Sequence, residues 1–306
     1  MMRKIYLTVI SLSFAAVTAG AQALPFVAAE MTAHSLSMAG ADVTETSDIA
    51  NSAFTNAAAI PFSDTKADVA VGYTLWQPAQ VKANVLNVAG AYNLNGKMGV
   101  ALGFRYGMNP SYPVMDDSGR EKGTYTPSDM QINAGFSWRF LPFLSAGVNL
   151  GYASSSLAEG HSYGALAADV FVMSKLSDFK VALGVSNLGT KVKSASGATF
   201  ALPSSLTLGA GYDKSFAQKH GVDVQLDADY YFSGGFAAAV GAGYTYGNLV
   251  SVRAGYRYGE GTVLPSFASV GVGVNVIGIK LDAAYLIATG DSPMKNTLAV
   301  SLGYSF

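Results

Sequence analysis

The feature that most limits what this chain can become is a period-two alternation, repeated in blocks from Ala67 to the last residue. The final block, Thr297 to Phe306, shows it clearly. Leu298, Val300, Leu302, Tyr304 and Phe306 share one parity, and Ala299, Ser301, Gly303 and Ser305 share the other. Such a period means a β-strand with one oily face and one small or polar face. In a soluble domain an oily last edge strand would invite aggregation. A membrane barrel removes the problem by closing the strand onto the first one and turning the oily face to lipid.

Fourteen blocks fit the pattern, at 67–76, 84–94, 97–107, 129–140, 143–153, 163–174, 179–188, 203–213, 221–232, 236–246, 249–259, 266–276, 279–288 and 297–306. Each has about the length of a tilted strand that crosses the hydrocarbon layer. The number is even, as in single-chain bacterial barrels. In 129–140, Met130, Ile132, Ala134, Phe136, Trp138 and Phe140 face out while Gln131, Asn133, Gly135, Ser137 and Arg139 face in. In 221–232, Val222, Val224, Leu226, Ala228, Tyr230 and Phe232 oppose Asp223, Gln225, Asp227, Asp229 and Tyr231.

The connections mostly alternate in length. Those after the second, fourth, tenth and twelfth blocks are tight turns such as Asn95-Gly96, Gly247-Asn248 and Ile277-Gly278. Those after the first, third, fifth, seventh, eleventh and thirteenth are longer, and Met108 to Ser128 is the longest. The long link after the eighth block and the short Ser233 to Gly235 break the trend. Short periplasmic turns opposite longer outer loops predict an outer-membrane barrel with both termini in the periplasm. Trp138, Phe140, Phe143, Tyr212, Tyr244, Tyr246, Tyr304 and Phe306 stand at strand ends, as aromatic girdles at the two membrane interfaces require.

Composition agrees. Charged residues make up 13%, net charge is −1 and there is no cysteine. The charge balance gives no basic excess for nucleic acid, and the missing thiols exclude disulfides, thiolate metal sites and a lipoprotein anchor. Residues 1–23 read as a secretory signal: Arg3 and Lys4, an apolar run from Ile5 to Val17, then Ala19-Gly20-Ala21 or Ala21-Gln22-Ala23 as the cleavage site. Residues 24–66 are Ala-rich and lack sustained alternation. They read as a small segment that plugs the lumen, with a short helix from Ile49, capped by Ser47 or Asp48 and ended by Pro61. The barrel proper is then 67–306.

No enzymatic constellation emerges. The three histidines, His34, His161 and His220, fall in the N-terminal segment, an outer loop and a turn. His161-Ser162 is the one nucleophile and base pair in reach, and neighbours on a strand point apart. No metal spacing and no cofactor motif is present. Gly241-Ala242-Gly243-Tyr244 reads as small lumen-facing positions, since no helix follows it. The inward parity does hold charges: Arg105, Arg139, Asp169, Asp223, Asp227, Asp229, Arg253, Arg257, Lys280 and Asp282. Arg253 and Arg257 are expected to reach across the small residues of 236–246 toward Asp227 and Asp229, either as structural pairs or as a polar surface for the plug. Leu166, Phe171, Phe54 and Ile60 are candidates for an apolar pocket.

The run Ser35-Leu36-Ser37-Met38-Ala39-Gly40-Ala41, with Asp48 and then Asn56-Ala57-Ala58-Ala59-Ile60, resembles the opening of the PorV/PorQ family, a branch of the FadL-like outer-membrane barrels. Met38, Gly40, Ala41, Asn56 and Ala58 carry the match. Ala39, Ala57 and Ala59 depart from the Gly, Pro and Gly usual in that family. The resemblance implies a role in type IX secretion or surface assembly in Bacteroidota, with secreted cargo proteins or other secretion components as partners. The alternative it implies is FadL-like passive uptake of a hydrophobic small molecule.

Overall fold

The computed structural model describes residues 22–29, 32–76, 82–116, 118–194, 197–260, 265–288 and 294–306. The secretory signal expected over 1–23 lies almost wholly outside them. Among the described residues eighteen strands form, in chain order β1 (Ala67–Trp76), β2 (Ala83–Leu94), β3 (Met98–Met108), β4 (Tyr112–Met115), β5 (Glu121–Tyr125), β6 (Ser128–Leu141), β7 (Leu144–Ala158), β8 (His161–Leu176), β9 (Phe179–Gly189), β10 (Val192–Lys193), β11 (Thr199–Phe200), β12 (Ser205–Phe216), β13 (His220–Tyr231), β14 (Phe236–Tyr246), β15 (Val250–Gly259), β16 (Phe267–Val276), β17 (Ile279–Ile287) and β18 (Leu298–Ser305). Fourteen of them close an antiparallel barrel in the order β1-β18-β17-β16-β15-β14-β13-β12-β9-β8-β7-β6-β3-β2. The other four make two small hairpins, β4-β5 and β10-β11, inside long connections. The seam is β1 against β18, from Asp68↔Ser305 to Leu75↔Leu298. All fourteen predicted blocks correspond to barrel strands. The protein is a transmembrane β-barrel, and among the described residues no helix is long and apolar enough to cross a membrane.

The alternation of connections is sharper than the sequence implied at one end and weaker at the other. Every turn at one end, including that between β12 and β13, has two or three residues. At the other end β7 and β8 run on as a long hairpin joined only by Glu159-Gly160, where a nine-residue loop was expected. Ser154, Ser155 and Ser156 continue the ladder there, because polar residues pair as readily as apolar ones once the strands rise above the hydrocarbon band.

Outward residues are apolar and exposed on almost every strand, among them Val100, Leu102, Ile132, Leu150, Val181, Leu226, Val272 and Leu302. The eight aromatics assigned to two girdles all lie at the short-turn end. Trp138 packs on Phe140, Phe179 on Tyr212, and Tyr304 on Phe306. Tyr73, Phe232, Phe236, Tyr256, Tyr258 and Tyr285 are among the exposed aromatics towards the other end. Phe306 sits at the short-turn end, where its backbone exchanges hydrogen bonds with Ala67. The first described residues lie at the opposite end, with the Ala23 amide on the Ala201 carbonyl.

Candidate functional site

The interior is where polar chemistry collects, and it is filled by the N-terminal segment. Its helices are short: α1 (Ala33–Ser37) and brief 3-10 helices at Pro25–Ala28, Ala50–Ala53 and Ala57–Phe62. The helix expected from Ile49 is thus two separate turns with Pro61 inside the second, and α1 was not anticipated. Thr32 caps α1 by accepting from the Ser35 amide. Asn56 caps the last turn by accepting from Ala58, while its amide group donates to the Val43 carbonyl. Leu36, Met38, Ala39, Ala41, Ile49, Ala58 and Ile60 are essentially inaccessible to solvent.

Irregular backbone at this depth must find partners for its carbonyls. The barrel wall supplies them. Asn133 donates to Ala53, Asn149 to Ser52 and Thr55, Ser145 to Ala58, Ser269 to Ser37, Asn93 to Ser63 and Lys175 to Phe62. Inward glycines supply room. A Cβ on Gly255 would lie 2.5 Å from the carbonyl carbon of Met38, and one on Gly241 would lie 2.8 Å from its Cβ. Gly241 is thus one of the small lumen-facing positions read from the sequence. The turn after α1 closes on Gly40, with φ of 80°, following Ala39 at 56°. Both residues are in the left-handed region that costs an L-residue about 1–2 kcal/mol. This gives a physical reason for glycine to be usual at the position of Ala39.

The inward charges form two groups. Nearer the long-connection end, Arg257 donates to Asp229 at 2.9 Å, and Thr207 donates to the other Asp229 oxygen at 2.7 Å. Asp227 receives no arginine; one of its oxygens accepts the backbone amides of Asp42 and Val43 at 2.8 and 3.0 Å. Arg105 donates to Asn87 and to the Ala29 carbonyl, and stacks 3.9 Å above the Phe54 ring. Asp169 accepts the Asn187 amide at a break in the β8–β9 register. Nearer the short turns, Arg253 pairs with Asp282 at 2.6 Å rather than crossing to Asp227. Lys280 lies 2.6 Å from Asp68 and 3.6 Å from Asp48. Arg139 stands over the Phe62 ring, and Asp223 lies against Gly243. Sequence reading passed over Asp68 and Lys180, although the parity of β1 and β9 points both inward; Lys180 is fully buried against Asp213.

Three groups of the N-terminal segment complete the lower cluster. His34 lies 3.3 Å from Glu45 and 3.8 Å from Asp48. Burial and the Arg253 charge work to strip its proton, but the two carboxylates outweigh them and hold its pKa above the ordinary value. Burial pushes Glu45 up, yet His34, Lys180 and the Ser47 hydrogen bond hold it well below the usual carboxylate range. Asp48 is also lowered: burial is overcome by Lys280 and His34. His161 instead bonds the Glu159 carbonyl and Ser162 bonds Ser156, so this nucleophile and base turn to different partners.

Two hollows remain. An interior cavity of about 70 Å3 lies between Val27, Ala28, Ala29 and Phe54 on the segment and Gln131, Phe171, Asp227 and Arg257 on the wall. A wide apolar depression of about 730 Å3 opens on the outer wall over β1–β3 and β18, lined by Val71, Val88, Gly90, Leu102 and Leu302. Behind it, Gly103 faces the Phe54 ring. The β2–β3 and β3–β6 ladders beneath it are unbroken. Of the four pocket candidates, Phe54 and Phe171 line the interior cavity and Ile60 is buried against β3, but Leu166 faces outward.

These features define a fourteen-stranded membrane barrel whose lumen is occupied by its own N-terminal segment. No protein-family model matches the sequence, and no curated protein matches it significantly. Solved structures do share the fold. The Pseudomonas putida toluene transporter TodX superposes with a TM-score of 0.61 at 13% identity, covering 90% of this chain and 97% of its own. The Ralstonia pickettii toluene transporter TbuX gives 0.59 at 10% identity, covering 90% and 98%. A Pseudomonas aeruginosa FadL homologue gives 0.53 at 12% identity, again covering 90% and 98%. The chain thus shares its fold with these solved structures.

Proposed function

We propose that the protein is an outer-membrane channel for the passive passage of small hydrophobic molecules, with residues 24–66 as a resident plug. The observation that carries this reading is the pairing of a filled axis with an apolar wall. The lumen is bonded to the plug along its length, so the axis offers no wide aqueous path of the porin kind. The outer wall presents an apolar depression of about 730 Å3, with Phe54 of the plug just behind Gly103. A hydrophobic solute dissolved in the bilayer partitions into such a hollow without leaving an apolar medium. The fold shared with two toluene transporters supports the same reading.

The short turns then face the periplasm and the β4-β5 and β10-β11 hairpins face outward. A secretion role of PorV/PorQ type, with secreted cargo as partner, rests on Met38, Gly40, Ala41, Asn56 and Ala58 alone. Its test is whether proteins sharing a C-terminal sorting domain co-purify with the barrel.

The channel reading is tested by entry of radiolabelled toluene and hexane into cells with and without the protein. Expression should raise initial entry rates several-fold, and Gly90→Leu, which fills the depression beside Val69, should reduce them. Equal rates with and without the protein refute it.

A further inference from the structure

The interior cavity has a chemical bias that a plain hydrocarbon would not use. Two buried acceptors face it from separate walls, Gln131 on β6 and Asp227 on β13, each only 4% exposed. Gln131 Oε1 and Asp227 Oδ1 have no hydrogen-bond partner. For Gln131 the orientation is dictated by its neighbours. The Ala53 carbonyl can only accept, so Asn133 must offer it Nδ2, at 2.8 Å, and turn Oδ1 toward Gln131. Gln131 then has to give its Nε2 to Asn133, at 3.3 Å, which leaves Oε1 for the cavity. For Asp227 the same logic holds. The Asp42 and Val43 amides can only donate, and both use Oδ2, which leaves Oδ1.

What is missing at both points is a donor. Apolar surface lies alongside, from Phe54, Phe171 and Val27. The volume, about 70 Å3, suits a head group of a few heavy atoms; it is below the roughly 150 Å3 that encloses a benzene ring. We propose that this cavity is a head-group site for molecules with an apolar body and one hydroxyl or amino donor, which it selects over hydrocarbons and over carboxylates. The inference rests on the channel reading above and names the class of molecule the channel favours. A carboxylate head would add an anion to a lining in which Asp42, Asp169, Asp227 and Asp229 already outnumber Arg105 and Arg257.

The test uses the full-length barrel in amphipol, with 1-hexanol, hexane and hexanoate as probes of one chain length, and reads saturable binding by calorimetry and saturation-transfer NMR. Asp227→Asn is the informative variant. Its shape is unchanged, the two amides still require its oxygen, and so the new NH2 turns into the cavity as a donor. The expected result is 1-hexanol bound at least tenfold more tightly than hexane or hexanoate, with the preference over hexane weakened in Gln131→Met and the preference over hexanoate lost in Asp227→Asn, whose new NH2 can donate to a carboxylate. Amide exchange at residues 42 and 43 of Asp227→Asn should match the wild type, which separates a changed site from a displaced segment. Equal binding of 1-hexanol and hexane overturns the proposal. So does wild-type affinity in both variants, or a crystal grown with 1-hexanol in which only water meets Gln131 and Asp227. Binding to purified protein is measured apart from passage, so failure of toluene and hexane entry in cells refutes the channel reading without deciding this one.

Discussion

Gly147 on β7 is the place to test how tightly the N-terminal segment is held. A Cβ there would lie 2.9 Å from both the carbonyl carbon of Ala57 and the Cα of Ala58, and closer still to the Ala58 amide nitrogen. Both sides of that contact are backbone, so Gly147→Ala can be accommodated only by moving the Ala57–Phe62 turn inward by roughly 1 Å to ordinary contact distance. Such a move stretches the 2.6 Å bond from Ser145 to the Ala58 carbonyl beyond hydrogen-bond range. Overpacking costs about 1–3 kcal/mol and a buried acceptor left without its donor about 1–3 kcal/mol, giving roughly 2–6 kcal/mol against the docked turn. At about 1.4 kcal/mol per tenfold, the open population rises at least about thirtyfold. Amide hydrogen exchange, followed by mass spectrometry on the purified barrel, should show residues 56–62 exchanging faster by that factor or more. The barrel strands away from β7 should keep wild-type rates. Gly123→Ala, on β5 with open space around the new methyl, is the control. Unchanged exchange over 56–62 in Gly147→Ala would refute the packing argument.

Asn56→Ala removes the cap of the same turn and orphans the Val43 carbonyl, at a cost of about 2–4 kcal/mol to segment docking; protease cleavage within 40–62 should accelerate while strand cleavage does not. Arg257→Leu leaves Asp229 buried without its ion-pair partner, and breaking such a pair costs about 3–5 kcal/mol. Urea unfolding should show the loss, and Asp229→Leu added to Arg257→Leu should recover part of it. Docking should also depend on pH. His34, with its pKa raised from 6.5, adds stability that is full below pH 6.5 and fades as pH rises through its folded value. Glu45, lowered from 4.5, adds stability that is full above pH 4.5 and fades as pH falls through its folded value. Exchange across 33–48, corrected for the intrinsic pH effect, should therefore be slowest between about pH 4.5 and 6.5. Exchange that is slowest above pH 8 would contradict the sign of the His34 coupling.

The wall of this barrel was legible residue by residue because a strand's side chains alternate strictly, so lipid and lumen imprint a period of two on each crossing. That pattern alone located all fourteen strands, the closure of the last strand on the first, and the inward direction of Gln131, Asp227 and Arg257. Strand ends were less legible. The serines of β7 look like loop in sequence because, above the hydrocarbon band, pairing no longer demands an oily face.

What only the tertiary structure decided is who meets whom inside. Parity says that Arg253 and Asp227 both face the lumen, but not that Arg253 turns to Asp282 while Asp227 holds two backbone amides of the N-terminal segment. Those choices depend on a segment with no periodicity, Thr32 to Phe62, whose path is set by glycine notches and by asparagines far apart in the chain. Partners brought together by closure of a fourteen-stranded ring leave no local mark in sequence, and the donor-hungry cavity at Gln131 and Asp227 is made of such partners.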